Sequence, residues 1–579
     1  IIKIPMSADV SSINVAVSLT KYVDDFLGGN HEFKAGIEWQ RNRGDWGFYL
    51  KKNMTWYYYN ENPYYWRALN NGQTDPVYGD GQLTFQALGK AYGESYQTGR
   101  TSRFGGFVQD MFTIKRLTIS AGVRLDTINC WVPGRTKGSA GDPLSIAIGE
   151  YYFEPVYGIN PYEEITYPTW EDAFPYGVFI SPRIGITFDV FGNHKTALKG
   201  SFSHQAEPFP TGTFSGMYPL SYRSFTFNWW DLNNNGIPDP PPVDQYQEAY
   251  GANPLAMIGD SYLKAIDPNA KPPYVDEYNI GLEHELLEDF KVGVGYIFKK
   301  RGNILDSILW DEQTNRYWNT YEKAPEWWVP FTTIVPAYGM FPETEVTMYF
   351  LSNDAPPMFY RLANVPEARW KSRSFEIFFN KRMSQGWMLG GSVNFLKSVG
   401  NFPIGWSEMY SRGTLANPNG FVNGYGELNW SRPLIIKLYG TFVLPYRILF
   451  SFFYQHIDGT PWNRTVTVVP PSQWAIANNA RTISYTINVE PRGARRNEAT
   501  DNIDIRFEKN FKIGPGNLGF YIDVFNLLGS YTLNVTKNPA GTWRPVDENT
   551  SQGTYSPTSV GLKGFSGYRE IRFSFVYKF

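Results

Sequence analysis

Seven times along this chain, two stretches of alternating apolar and polar residues are joined by a short turn, and a long polar, aromatic-rich segment follows each pair. The first pair is Ile13–Leu19 and His31–Gln40, either side of Asp24-Asp25-Phe26-Leu27-Gly28-Gly29-Asn30, with Phe33, Ala35, Ile37 and Trp39 on one side. The second is Phe104–Ile114 and Leu117–Asp126, joined at Lys115-Arg116. The others are Arg183–Val190 with Ala197–His204, Tyr278–Leu286 with Val292–Phe298, Phe375–Lys381 with Trp387–Phe395, Leu434–Phe442 with Ile448–Tyr454, and Ile503–Glu508 with Leu518–Val524. Between them lie 42–100, 129–177, 207–272, 302–368, 399–430, 459–498 and 529–568. Strand side chains alternate faces, so each stretch is a strand with one apolar face, and the helical period does not fit. Loops beyond about 15 residues are uncommon in compact soluble domains, whose turn signals recur at short spacing. Short turns at one end and long loops at the other suit an antiparallel sheet rolled through a membrane.

The last nine residues carry the same pattern to the chain end. Ile571, Phe573, Phe575, Tyr577 and Phe579 share one side, and Arg572, Ser574 and Lys578 take the other, with Val576 the exception. A final aromatic-faced strand ending on Phe resembles the closing strand of bacterial outer-membrane barrels. Composition agrees. Aromatic residues make up 17% of the chain, and Tyr and Trp favour membrane interfaces. No apolar run reaches the roughly 18 residues of a helical span. The net charge of −2 gives no basis for a nucleic-acid partner, and the single Cys130 excludes an intrachain disulfide or a cysteine metal cluster. The fold expected is all-β, a transmembrane antiparallel barrel of outer-membrane type occupying 1–579, with about 15 strands and long extracellular loops. Single-chain bacterial barrels have even counts, and Ile1–Met6 shows neither an initiator Met nor a signal-peptide core. The expectation is therefore that N-terminal strands, and whatever precedes them, lie outside this sequence.

Several strands are more specific. Gly29–Gly36, Gln109-Asp110 and Leu117–Asp126 resemble successive barrel motifs of TonB-dependent receptors. Glu277–Leu286, Phe375–Arg382, Asp523–Leu528 and the terminal Phe579 are similar to the Oar-like branch of that family. The resemblance covers nearly all strands and few loops. It implies a barrel of about 22 strands with an N-terminal plug inside it, energised by the TonB complex of the inner membrane. The sequence shows neither plug nor TonB-contacting segment, and on that point it departs from the family pattern.

Few motifs carry chemistry. Asp231-Leu232-Asn233-Asn234-Asn235-Gly236-Ile237-Pro238-Asp239 has calcium-loop spacing. Asp231, Asn233, Asn235, the Ile237 carbonyl and Asp239 supply oxygens, and Gly236 the turn. Pro242 stands where an acidic residue is usual, with Asp244 or Glu248 as substitutes, and the plain alternative is a solvated Asn/Asp turn. Gly514–Gly519 matches G-x-G-x-x-G, but a strand follows instead of a helix, so it reads as a hairpin turn. His31, His194, His204, His284 and His456 are scattered, and no zinc-protease or serine-hydrolase motif accompanies them, so no enzyme is expected. Trp56, Tyr57, Trp229, Trp230, Trp327 and Trp328 are candidate ligand-stacking residues, against the alternative of packing that orders the loops. Arg492, Arg495 and Arg496 are expected to line the lumen or to meet anionic lipid headgroups. Glu32, Lys34, Glu38, Arg124, Asp126, Asp504, Arg506 and Glu508 are expected on a hydrated inner wall.

The function expected is a TonB-dependent transporter or receptor barrel moving a bulky solute such as a peptide, glycan or chelate. Its partners would be outer-membrane lipid, the TonB complex through a plug, and surface or periplasmic proteins. The alternative is a structural or adhesive outer-membrane barrel whose loops bind partners without a transport cycle.

Overall fold

The computed structural model describes residues 6–49, 54–58, 81–87, 94–137, 165–207, 209–215, 223–231, 248–250, 256–258, 264–311, 313–356, 358–402, 413–481, 484–535, 541–557, 562–566 and 568–579. Fifteen strands form one wall. They are β1 Met6–Phe26, β2 Gly29–Tyr49, β3 Glu94–Ile114, β4 Leu117–Trp131 and β5 Val178–Asp189. Next come β6 Thr196–Ala206, β7 Tyr274–Leu287, β8 Phe290–Gly302, β9 Trp370–Ser384 and β10 Trp387–Gly400. The last are β11 Arg432–Leu444, β12 Ile448–Ile457, β13 Thr500–Ile513, β14 Gly516–Phe525 and β15 Glu570–Lys578. They follow one another in chain order, each antiparallel to the next, and the short strand Gly426–Glu427 pairs with β10. Among the described residues the pairing runs from β1 to β15 without closing on itself.

The turns explain the register. Leu27 and Gly28 both have positive φ (51° and 80°), as do Gln385 and Gly386 (52° and 81°). Two consecutive left-handed residues make the tight turn whose twist matches a β-hairpin. Between β5 and β6 the Asp189 carboxylate accepts from the amides of Gly192 (3.0 Å) and His194 (2.8 Å), closing a longer turn. On the inner face, the Phe107 ring lies over Gly36 and the Phe378 ring over Gly293, where a Cβ would come within 2.6 Å and 2.4 Å of ring carbons. Glycine at these sites lets an aromatic ring from the next strand cover the backbone.

The wall is inverted relative to a soluble sheet. Its outward face exposes Val17, Ile37, Val108, Ile280, Ile377 and Phe575, each between 46% and 68% accessible. Such a band is costly in water and favourable against lipid tails. The opposite face carries charge. Arg124 meets Glu38 and Asp126, both at 2.8 Å, and Arg103 meets Asp126 at 3.0 Å, linking β2, β3 and β4. Glu283 on β7 holds Lys199 of β6 (2.8 Å) and Lys291 of β8 (3.1 Å).

Strand lengths differ from the sequence reading. Ile13–Leu19 is the middle of a 21-residue strand, and residues 42–49 and 94–100, read as loop, are paired strand. About 10 residues suffice to cross the apolar layer. Beyond it both faces of a strand meet water, alternation fades, and backbone pairing continues without a sequence signal.

The long segments are folded. A hairpin of Trp328–Val335 with Thr344–Leu351 packs on a sheet ordered Tyr485–Asn488, Thr465–Val468, Gly541–Pro545, Gly553–Pro557. Phe331, Met348, Phe350, Val466, Trp474 and Trp543 form a buried core between them. Trp543 Nε1 donates to Thr333 Oγ1 at 2.8 Å, across 210 positions of sequence. The buried Asp306 carboxylate accepts from the amides of Ser307 (2.9 Å), Gly413 (2.9 Å) and Leu415 (2.8 Å), tying two loops together. Among the described residues, no helix is long and apolar enough to cross a membrane.

Candidate functional site

Two places invite a functional reading: the inner face of the wall and the loop layer above it. Near the short-turn end, a recess of about 720 Å³ opens where β6 to β12 converge. Glu283, Lys291, Glu376, Asn380, Lys437 and Tyr439 line it. Acids and bases alternate from strand to strand, so the surface is hydrated and nearly neutral. A barrel of about eight strands can fill its interior with side chains, whereas walls of 16 to 22 leave a channel or a lumen that needs a plug. The expected inner-wall residues Glu38, Arg124, Asp126 and Arg506 do lie on this face, Arg506 paired with Asp523 of β14.

At the long-loop end, segments from three loops fold over the wall. Phe174, Tyr176, Phe214 and Leu362 are buried together with Cys130 and Val132. Burial pushes the Tyr176 hydroxyl up to about 12, against the opposing pull of Arg103. Arg464, 2% exposed, donates to the carbonyls of Pro336 (2.9 Å) and Pro342 (3.4 Å), with the rings of Phe341 and Tyr555 within 5.5 Å.

The expected ligand-stacking residues separate into two groups. Trp56 and Tyr57 lie on Met54–Tyr58, and Trp229 and Trp230 on Arg223–Asp231, and both strands pair with Gly81–Ala87. The structure thus brings two loops far apart in sequence into one sheet. Trp328 is 1% exposed, and its Nε1 donates to the Trp318 carbonyl at 3.0 Å. Trp327 packs edge-on to Trp318 at 5.3 Å, beneath the Arg316 guanidinium at 4.3 Å. Trp328 is thus buried within the loop layer, and Trp327 is half-buried beside it. In the calcium-type loop only the Asp231 backbone, the end of a strand, is described, and Asn233, Asn235, Ile237 and Asp239 lie outside the described residues. Among the described residues no group of three or more His, Cys, Asp or Glu could hold a metal.

The arginine cluster is engaged within the loop layer. Arg496 bonds Glu427 and the carbonyls of Ser431 (3.2 Å) and Gly459 (2.9 Å). Arg495 holds Glu490 at 2.8 Å, and Arg492 Nε donates to the Gly424 carbonyl at 2.8 Å. These donors meet loop carbonyls and carboxylates, so the three arginines stitch the loop layer. Sequence reasoning also missed three cross-strand pairs in which histidine Nδ1 meets a carboxylate: His31–Asp110 (2.7 Å), His204–Asp276 (2.6 Å) and His456–Asp501 (2.9 Å). Only strand register makes them neighbours, so spacing in the sequence offered no signal.

A wall with an apolar outside and a charged inside, short turns at one end and long loops at the other, defines a barrel of the outer-membrane class. The family described as the outer membrane beta barrel domain matches residues 7–450, well over half of the 579 residues, and the chain belongs to it. It is a protein of the bacterial outer membrane. It is 22% identical over 460 residues to the TonB-dependent transporter Oar of Myxococcus xanthus, covering 74% of this chain and 36% of that protein. Among solved structures it is similar to the outer membrane transporter YddB of Escherichia coli (12% identity, TM-score 0.47, 96% of this chain and 54% of that one). It is also similar to the ferripyoverdine receptor of Pseudomonas aeruginosa (11% identity, TM-score 0.45, 92% of this chain and 46% of that one). The chain therefore spans about a third of the length of its curated relative and about half of these two solved proteins.

Proposed function

We propose that this chain is the wall and outer loop layer of a TonB-dependent receptor that admits a bulky solute, such as a peptide, glycan or chelate. The charged recess on the inner face carries the reading. Its alternating acids and bases suit a polar element seated against β6 to β12, and the plug that the likeness to TonB-dependent receptors implies is such an element. In this mechanism the loops take up the solute and TonB acts on the plug. Residues 1–579 act as one barrel unit. The likeness to Oar supports the family, and the solute class is our inference. The test is capture of the purified periplasmic domain of TonB by the protein extracted from outer membranes. Retention supports receptor function; no retention, with the barrel intact, favours a structural or adhesive barrel. That second reading draws on the folded loop layer, which already has cores of its own and leaves Met340 and Ile476 exposed.

The loop Asp231–Asp239 is our candidate calcium site, with Asp231, Asn233, Asn235, the Ile237 carbonyl and Asp239 as ligands. Its role there would be to stiffen the loop. Terbium luminescence excited through Trp229 and Trp230 tests it. Sensitised emission that calcium displaces, and that Asp231→Asn weakens, is expected; emission unchanged by Asp231→Asn would remove the site.

A further inference from the structure

At the long-loop end of β8, β9 and β10 the outward face changes character within two residues. Tyr296, Phe375 and Phe395 stand directly opposite one another, with the Phe375 and Phe395 rings stacked at 6.4 Å. Two residues further along β9 and β10, Arg373 faces Lys397, with Phe298 of β8 on its other side; two further again, Lys371 faces Lys300. Successive outward positions rise by about 7 Å, so a cationic tier sits immediately above an aromatic one.

Like charges placed directly opposite on a sheet destabilise it. One other like-charge pair directly opposite on the outer face, Arg43 and Arg100, is matched: Arg43 meets Asp9 (3.1 Å) and Asp45 (2.7 Å), and Arg100 meets Asp45 (2.6 Å). Here Lys300 has Asp276 at 3.2 Å, itself shared with His204. Lys371, Arg373 and Lys397 are exposed and have no acidic partner among the described residues. Glu427 borders the site, but Arg496 and the Ser431 hydroxyl (2.8 Å) already engage it, and Arg432 donates to the carbonyls of Asn429 and Ser431. Between the tiers lies a hollow of about 320 Å³, lined by Tyr296, Arg373, Phe375, Phe395, Lys397 and Pro433.

We propose that this hollow binds a phosphate-bearing lipid of the outer leaflet, its headgroup on Lys371, Arg373 and Lys397 and its acyl chains along Phe375, Phe395 and Ile377. The commitment to a lipid over free phosphate follows from continuity: the cations directly adjoin the membrane-facing band, and an anion anchored there supplies the charge the wall lacks. Arg373 offers a planar fork for phosphate oxygens, and the lysines offer point charges. The inference rests on outer-membrane placement and is independent of whether the protein transports anything.

The experiment uses the protein extracted from outer membranes and placed in phosphatidylcholine nanodiscs containing either diphosphorylated lipid A or the same lipid without phosphates. Native mass spectrometry reads the lipid retained. Wild type should retain the phosphorylated form, and Lys371→Gln/Arg373→Gln/Lys397→Gln should lose affinity by about fivefold per cation, on the order of a hundredfold in all. Arg373→Lys, which keeps the charge and serves as the folding control, should stay within severalfold of wild type. Lys371→Gln alone relieves a like-charge contact, so it should fold and still show its fivefold loss. Equal retention by wild type and the triple variant overturns the proposal. So does equal retention of the dephosphorylated lipid, or competition by inorganic phosphate as strong as that by the lipid.

Discussion

The wall and the loop layer solve opposite problems with the same residue types. In the wall, Ile37, Ile377 and Phe575 face outward and Glu38, Arg124 and Asp126 face inward. In the loop layer Phe331, Met348 and Trp543 are buried and polar side chains ring them, as in a soluble domain. The difference lies in the solvent: lipid favours apolar surface, and water favours apolar cores. It also separates two kinds of stability. Wall strands are held by ladder pairing between neighbours in sequence, and the loop layer by contacts between distant segments.

The sharpest way to break this comparison is Trp543→Ala. It removes a ring 1% exposed and its bond to Thr333, at a cost of about 3–5 kcal/mol. Limited proteolysis should then cut the segments 302–369 and 458–498, while the wall keeps its heat-modifiable migration on gels. Simultaneous loss of both would show one cooperative unit. The next effect is on the wall: Ile377→Lys puts a charge on the lipid face and should cost about 2–4 kcal/mol, read by folding titration in lipid. Its neighbour Glu376→Gln, facing the inner recess, should change stability by about 0.5 kcal/mol or less. If the two substitutions cost the same, the assignment of faces is wrong.

The smallest expected effect sharpens the loop layer. The Tyr485 hydroxyl is buried without a hydrogen-bond partner among the described residues, and burial pushes it up to about 12. Below about pH 10 folded and unfolded chains both keep this proton. Between there and about 12 only the folded chain does, so this contribution to stability is lost as pH rises through that window. Tyr485→Phe should flatten that alkaline loss and raise loop stability at neutral pH by about 1 kcal/mol, since it removes an unsatisfied polar group. Loop unfolding followed by tryptophan fluorescence against pH would show it, and an unchanged alkaline limb would assign the loss to another group.

Much of the wall was legible in advance. All seven hairpins and the terminal strand formed where Phe33–Trp39, Leu117–Asp126 and Ile571–Phe579 announced them, because alternation records which face meets lipid. The candidate site was less legible. The inner recess draws on strands β6 to β12, and the tier of Lys371, Arg373 and Lys397 exists only once β9 and β10 are in register. The partners of Arg492, Arg495 and Arg496, which are Gly424, Glu490 and Glu427, lie 68, 5 and 69 positions away, and spacing did not announce them.

By itself, then, the sequence determined the strand order, the turn positions and the two faces of the wall. Each of those depends on residues two apart or on a few turn residues with positive φ. Tertiary structure decided how far the strands extend past the membrane, how the loops fold, and which charges meet. Those outcomes depend on pairings such as Trp543 with Thr333 or His204 with Asp276, whose partners lie 210 and 72 positions apart and leave no local pattern to read.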